Sequence, residues 1–452
     1  MKRLRIIVIG GTAAGPSAAA KAVRTNPNAE VTLFEQTETV SYGVCEIPYA
    51  VAGEIQDETK LVIYSPEELK KQKGFDVKTQ MRVESINVTK KWIFVRDLRS
   101  GGVIEHGYDR LILATGARPK RLGVHGENGR NVFYIRSRGD TLALLRYIES
   151  EKPKHAVVIG GGYVGVEMCE ALRRKSMDVT LLHRRRLPLS GLEEETRERV
   201  HEELLGNEVS FISNVRVESL LQNSSGKAVH VLTNRGTFEC DLVVVAIGVL
   251  PNVELAKTAR VGLGSTGAIA TDQRQQTNID GIYAAGDCCE VKNLVSGQRA
   301  YVPLATLAAR QGRVAGENAA GGRATFGGAI RAAAVRVFGI EVAHVGLGSE
   351  EARGAGFDVS TQTITSWSRI EMMPGSAKVT VKLIMDKRSK RLLGANLSGA
   401  EGVVQRANTL GVAIQHRMTV DQISSLDLIY APPFSPLWDP ILVAANKGKQ
   451  KL

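Results

Sequence analysis

At 452 residues, with 43% hydrophobic and 23% charged residues, the chain has material for about three domains and for cavities large enough to hold sizeable cofactors. No apolar run approaches the roughly 18–20 residues of a membrane span, residues 6–9 are too short for the core of a signal peptide, and five cysteines without framework spacing argue for reduced thiols; a cytoplasmic location is expected. The net charge of +12 implies affinity for anions. The basic residues are dispersed, without a basic tail or nucleic-acid motif, so phosphorylated small molecules are expected rather than nucleic acid or membrane.

Residues 4–9 form a β-branched apolar run that stops at Gly10-Gly11 and gives way to an alanine-rich stretch over 13–23, which predicts strand, tight turn and helix. A second buried strand over 31–34 ends at Glu35, completing the first half of a doubly wound fold. The same order returns with a strand at 156–159, Gly160-Gly161-Gly162, a helix through Leu172 and a strand at 179–182. Two such units predict two nucleotide sites. Buried strands over 108–114 and 241–247, each followed by glycine (Gly116, Gly248) and then proline, mark the crossings between domains. Beyond about Phe326 the glycine loops stop, and strands at 378–385 and 391–397 predict a mixed α+β module. Residues 430–440 carry four prolines, which excludes helix and central strand.

In the first loop Gly10, Thr12 and Gly15 hold the three positions of G-x-G-x-x-G, with Gly11 and Ala13 between them. Gly10 permits the turn, Gly15 permits helix-on-strand packing, and the helix start offers amide hydrogens to a pyrophosphate. Glu35, with Gln36 beside it, is placed to accept hydrogen bonds from an adenosine ribose. A later strand ends in Gly286-Asp287, where the aspartate could bond a ribityl hydroxyl, and with Ala114-Thr115-Gly116 these pieces point to FAD. The second loop has Gly160, Gly162 and Gly165, with Tyr163 inside it and Glu167 following. Where an NAD site would place an acid, this chain has His183-Arg184-Arg185, which suits the 2′-phosphate of NADPH, with NADH the alternative.

Cys45 lies in the segment 41–49, where Ser41 and Pro48 predict a helix starting near the thiol, whose positive end would favour the thiolate. Glu46 next to it would raise the thiol pKa by like-charge repulsion. These residues resemble the pyridine nucleotide-disulfide oxidoreductases over essentially the whole chain. The single-cysteine motif and the closing segment Tyr430 to Pro436 are most similar to coenzyme A disulfide reductases and the related persulfide reductases and NAD(P)H oxidases. The resemblance implies an α/β fold with two Rossmann-like domains, one for FAD and one for NAD(P)H, plus an α+β C-terminal dimerisation domain. It places the FAD domain at 1–118 and 249–325, the NAD(P)H domain at 119–248 and the dimerisation domain at 326–452.

The resemblance further implies a homodimer in which the partner supplies Tyr430 as a proton donor or hydrogen-bond partner. It makes Cys45 the redox thiol, cycling through a mixed disulfide with the substrate. Coenzyme A enters as substrate or bound ligand, with Lys21 and Arg24, three apart on the first helix, as phosphate contacts and Ser41 and Tyr42 beside the thiol. Two positions depart from the pattern. Ala13 stands where peroxidases and water-forming oxidases of the family carry a histidine, and Met372-Met373-Pro374-Gly375 replaces a Tyr-Tyr-Pro-Gly segment. The expected activity is NAD(P)H-driven reduction of a disulfide, persulfide or polysulfide, coenzyme A disulfide foremost. The alternatives are an NAD(P)H oxidase and a non-catalytic redox-sensing flavoprotein. The vicinal pair Cys288-Cys289, together with Cys169 and Cys240, is given no catalytic role.

Overall fold

A computed structural model describes residues 3–452. Two five-stranded parallel sheets of the same design organise the first two thirds of the chain. In the first, Arg5–Ile9 is central, flanked on one side by Glu30–Phe34 and Asp76–Lys78 and on the other by Arg110–Leu113 and Ile282–Ala284. In the second, His155–Ile159 is central, flanked by Asp178–Leu182 and Val209–Ile212, and by Leu242–Val245 and Val132–Tyr134. Both central strands are buried on both faces after their first residue, over the apolar runs 6–9 and 156–159.

The edge strand of the first sheet arrives after the whole second unit has been threaded, so the second unit is an insertion in the first. The first-unit helix Ala14–Thr25 packs on Ala305–Ala319. Gly312 and Gly316 make that approach possible: a Cβ at either would lie 2.2 and 2.0 Å from the carbonyl oxygens of Ala14 and Ala18. This G-x-x-x-G spacing is present in the sequence, but nothing local to it says which helix it receives.

The C-terminal unit is a five-stranded antiparallel sheet in the order Ala333–Val337, Ile340–Gly346, Leu392–Gly399, Lys378–Asp386, Val359–Trp367. Helices Val403–Gln415 and Pro440–Lys449 cover one face. Polar contacts fasten this sheet to the second nucleotide unit: Lys382 Nζ lies 2.9 Å from Glu193 and 2.8 Å from Glu195, and the Glu193 N–H donates to Asn396 at 2.9 Å. The proline-rich segment before the last helix is pinned at its end, where Arg406 bonds Asp439 at 2.9 Å, yet Ile429, Phe434, Leu437 and Trp438 all face solvent in the single chain. Among the described residues no helix is long and apolar enough to cross a membrane.

Candidate active site

The two glycine loops have nearly superposable constraints. Gly10 and Gly160 sit at φ +112° and +108°, where a side chain would strike the carbonyl oxygens of Ala114 and Ala246. A Cβ on Gly15 or Gly165 would fall 1.8 Å from the carbonyl oxygen of Gly10 or Gly160, so each helix is seated directly on its own turn. In the first loop the Gly11 N–H donates to Glu35 Oε2 at 2.7 Å, and the other Glu35 oxygen accepts from the Thr37 N–H at 2.8 Å. Thr12 and Ala13 lie half-buried at the start of the helix.

A cavity of about 600 Å³ opens beside this loop, bounded by Gly10, Glu35, Gln36, Thr115, Arg118 and Asn252. The Thr115 hydroxyl donates to Asn252 O at 2.8 Å, and the Asn252 N–H donates to Gly116 O at 2.9 Å, closing the cavity floor near buried Ala114. The Gly286 N–H donates to Gln311 at 3.0 Å, and Asp287 is met by Arg136 at 2.6 Å. Arg136 carries no sequence signal, since its partner is far along the chain and no local pattern links them. A turn at Gly10 with no room for a Cβ, and the Glu35 carboxyl on the wall of the cavity beside it, fit a dinucleotide such as FAD.

The second loop departs from expectation. His183 is buried, and its Nδ1 accepts the Gly161 N–H at 3.0 Å, so the ring proton sits on Nε2, 3.4 Å from Ser190 Oγ. Burial, with Arg197 and Arg184 nearby, lowers its pKa to about 4. His183 is thus a neutral brace for the loop, the counterpart of Glu35, and not a cation facing the nucleotide. Of the basic run, His183 and Arg184 both line the adjoining cavity of about 620 Å³, Arg184 as its cation together with Lys120 and Arg216, and Gly248 lines it too. Arg185 is exposed outside that lining, and Arg186 is tied to Glu194 and Glu198. Lys120 and Arg216 escape a reading of the sequence because they reach this cavity from separate segments. Gly162 lines this cavity, and both Gly162 and Tyr163 are exposed.

Cys45 precedes the short helix Ile47–Ala52 and is the one exposed cysteine; Cys169, Cys240, Cys288 and Cys289 are buried. Although Cys45 is exposed, the surrounding chain desolvates its thiol in part. That burial, with the carboxylates of Glu46, Glu167 and Asp287, pushes the thiol pKa up against the opposing charge of Arg136. The expected gain from the helix start is therefore overridden: the helix is six residues long, while two of the carboxylates and the burial come from distant parts of the chain. Glu167, on the helix of the second loop, is itself pushed up to about 7, chiefly by burial, and accepts a hydrogen bond from the Tyr49 hydroxyl at 3.4 Å.

The remaining expected contacts scatter. Ser41 is buried in a left-handed conformation, its N–H donating to Gly11 O at 2.7 Å, and half-buried Tyr42 has its phenol pKa pushed up to about 12 by burial and Glu35. Lys21 is paired with Glu317 at 2.8 Å, whereas Arg24 is exposed. Tyr430 projects from the exposed apolar segment near the C-terminus, and Met372 is exposed.

A family model described as pyridine nucleotide-disulphide oxidoreductase matches residues 4–312, and that family's dimerisation domain matches 332–440. The chain belongs to the pyridine nucleotide-disulphide oxidoreductase family. It is, accordingly, an NAD(P)H-dependent flavoprotein oxidoreductase with a C-terminal dimerisation domain. A relative from Pyrococcus horikoshii, an NAD(P)H coenzyme A polysulfide/persulfide reductase, is 36% identical over 445 residues, covering 98% of each chain. An NADH oxidase from Methanocaldococcus jannaschii is 30% identical over 99% of each. The crystal structure of reduced Bacillus anthracis CoADR-RHD superposes with a TM-score of 0.96 at 31% identity, covering all of this chain and 81% of the other.

Proposed function

We propose that this oxidoreductase uses NADPH to reduce a sulfur–sulfur bond, in coenzyme A disulfide foremost and otherwise in a persulfide or polysulfide, through Cys45 as its redox thiol. In this reading FAD occupies the cradle of the first glycine loop and the nicotinamide nucleotide lies against the second. The single observation that carries the reading is the position of Cys45: the one exposed thiol, within electrostatic reach of both Asp287 of the first unit and Glu167 of the second. The overall change balances as NADPH + H⁺ + RSSR′ giving NADP⁺ + RSH + R′SH. Bound FAD would supply the two-electron relay between nucleotide and sulfur, and the chain's residues supply alignment.

Desolvation and three carboxylates oppose a thiolate at Cys45 but leave a neutral disulfide untouched, so the site favours the mixed disulfide as its resting form. Glu167, with a carboxyl that titrates near neutrality, is suited to hold a proton beside the sulfur. For the nucleotide, Arg184, Arg216 and Lys120 around the second cavity, with no carboxylate directly after the second strand, favour the 2′-phosphate of NADPH. The exposed row of Ile429, Tyr430, Phe434, Leu437 and Trp438 supports assembly as a homodimer, with Tyr430 offered to the partner's site. The pairing of Lys21 with Glu317 leaves Arg24 as the freer of the two phosphate contacts.

The test is a substrate panel of coenzyme A disulfide, coenzyme A persulfide, polysulfide, glutathione disulfide, peroxide and dioxygen, run with both nicotinamides. Cys45→Ser is expected to lose at least about a hundredfold in kcat on sulfur substrates while keeping its flavin. Full sulfur turnover by Cys45→Ser sinks the mechanism, and dioxygen uptake exceeding every sulfur turnover makes the chain an oxidase.

A further inference from the structure

Two segments distant in sequence meet on the flank of the helix Ile47–Ala52 that follows Cys45: the second-loop helix Tyr163–Arg174 and the first strand of the C-terminal sheet, Ala333–Val337. Arg336 of that strand stands at the meeting point. One nitrogen lies 3.2 Å from Glu54, just beyond the left-handed Gly53 that ends the cysteine helix, and another lies 3.1 Å from Glu170 of the second-loop helix. Its guanidinium carbon lies 5.1 Å from the centre of the Tyr49 ring, whose hydroxyl bonds Glu167. Glu170 is buried and already engaged, by Arg174 at 2.9 Å on one oxygen and by the Phe338 N–H at 2.7 Å on the other.

We propose that Arg336 is a positioning residue for Cys45: a cation lent by the C-terminal domain that fixes the helix behind the thiol, through Glu54 and Tyr49, to the helix of the nicotinamide loop, through Glu170. The inference rests on the reading of Cys45 as the redox thiol. Arg174 also lies 3.4 Å from Glu54 and so already ties the two helices to each other, while the Phe338 amide ties Glu170 to the C-terminal domain; a contact needed for packing alone would be met by these. Arg336 adds a fork that spans both helices, lies over the ring of Tyr49 and acts on Glu167 with a charge opposite to that of Glu170. The charged groups around the thiol are Glu46, Glu167, Asp287 and Arg136, and those around Glu167 are Glu170 and Arg336, with the Tyr49 phenol bonded to it. Loss of Arg336 removes the cation on the Glu167 side of this set. It thereby both loosens the helix, which keeps Arg174 on Glu54 and Tyr49 on Glu167, and makes the electrostatic surroundings of the sulfur more negative.

The experiment compares holoenzymes carrying Arg336→Met, Arg336→Lys, Glu54→Gln, Tyr49→Phe and Cys45→Ser. Flavin content, kcat and KM for nucleotide and sulfur substrate, and the pH profile of Cys45 alkylation by iodoacetamide in the reduced enzyme are measured. Arg336→Met is expected to lower kcat about tenfold at an unchanged nucleotide KM and to move the alkylation profile up by about half a pH unit. Arg336→Lys keeps the charge and should hold the profile in place while recovering kcat only in part, because an ammonium lacks the planar fork that reaches Glu54 and Glu170 together and lies over the Tyr49 ring. Flavin-replete Arg336→Met with kcat within about twofold of wild type and an unmoved profile overturns the proposal. Should Arg336→Met not fold, Glu54→Gln and Tyr49→Phe carry the test: a kcat loss of about threefold in either supports it, and wild-type kcat and profile in both overturn it. Undiminished sulfur turnover in Cys45→Ser overturns the redox-thiol reading itself. Its loss beside normal Arg336→Met turnover overturns only the role of Arg336.

Discussion

The first and second nucleotide units repeat one backbone solution with two different side chains. Both begin with a buried strand, turn at a left-handed glycine and seat a helix on that turn through a second glycine five residues on. Both brace the loop by a hydrogen bond from the second residue of the turn to the end of the next strand, from Gly11 to Glu35 and from Gly161 to His183. The brace is a carboxylate in one and a neutral imidazole in the other. The difference teaches that the residue after the second strand does two separable jobs. It holds the loop, which any acceptor of the right reach can do, and it sets the charge that a ribose or its phosphate meets.

The comparison breaks most sharply at the seating glycines. Gly15→Val and Gly165→Val each drive a side chain into the Gly10 or Gly160 carbonyl oxygen, only 1.8 Å from where the new Cβ would stand, and neither turn can yield without losing its strand. Gly15→Val is expected to yield protein without flavin, read as loss of visible absorbance per polypeptide. Gly165→Val should keep its flavin and lose reduction by either nicotinamide, read by anaerobic mixing. Were both variants to lose flavin, the two units would not be independent sites.

Exchanging the brace sharpens the same comparison at a smaller scale. His183→Glu supplies the acceptor used by the first unit and adds a negative charge beside Arg184. The NADPH-to-NADH ratio of kcat/KM is expected to fall about ten- to hundredfold, since a carboxylate repels the 2′-phosphate and bonds the free ribose hydroxyls. Arg184→Ala should lower the ratio in the same direction, and Arg185→Ala should leave it near the wild-type value because that side chain lies outside the cavity lining. An unchanged ratio in His183→Glu would mean that this strand end does not face the adenosine ribose.

What was legible in the sequence was what is local. Strand, glycine turn and helix lie within a few consecutive residues, so both loops, Glu35 and the second-unit order could be read directly, and the exposed thiol stood in a recognisable segment. The direction a side chain faces was not legible: His183-Arg184-Arg185 reads as one basic run, yet the first is a buried brace in the cavity wall, the second lines the cavity from its exposed side and the third lies outside it. Nor were most of the charges around Cys45, because Glu167, Asp287 and Arg136 reach it by folding; burial and the carboxylates outweigh both Arg136 and the short helix that sequence places behind the thiol. Arg336 had no signal of any kind, since its role exists only once three domains have met.

The smallest expected effect concerns stability and pH. Free histidine titrates near 6.5, and His183 titrates near 4 because its ring is buried beside arginines. A depressed folded-state value means that the unfolded chain binds the extra proton first, so the stability that His183 contributes is complete above about pH 6.5 and is lost as pH falls toward 4. His344, buried in the C-terminal sheet and also lowered to about 4, acts in the same window, so the wild type alone cannot assign the loss. His183→Asn separates them. Its side-chain oxygen keeps an acceptor for Gly161 without a titrating group, at a cost of about 1 kcal/mol near neutral pH for imperfect geometry. The variant should close that gap near pH 6 and exceed wild type by about 1 kcal/mol at pH 5, in urea midpoints measured on flavin-replete protein. The first unit, braced by Glu35, holds no imidazole at this position, so the crossing belongs to the second unit alone. Parallel midpoint curves for wild type and His183→Asn would show that the fold imposes no proton penalty on the ring, and the neutral-brace assignment would fall with them.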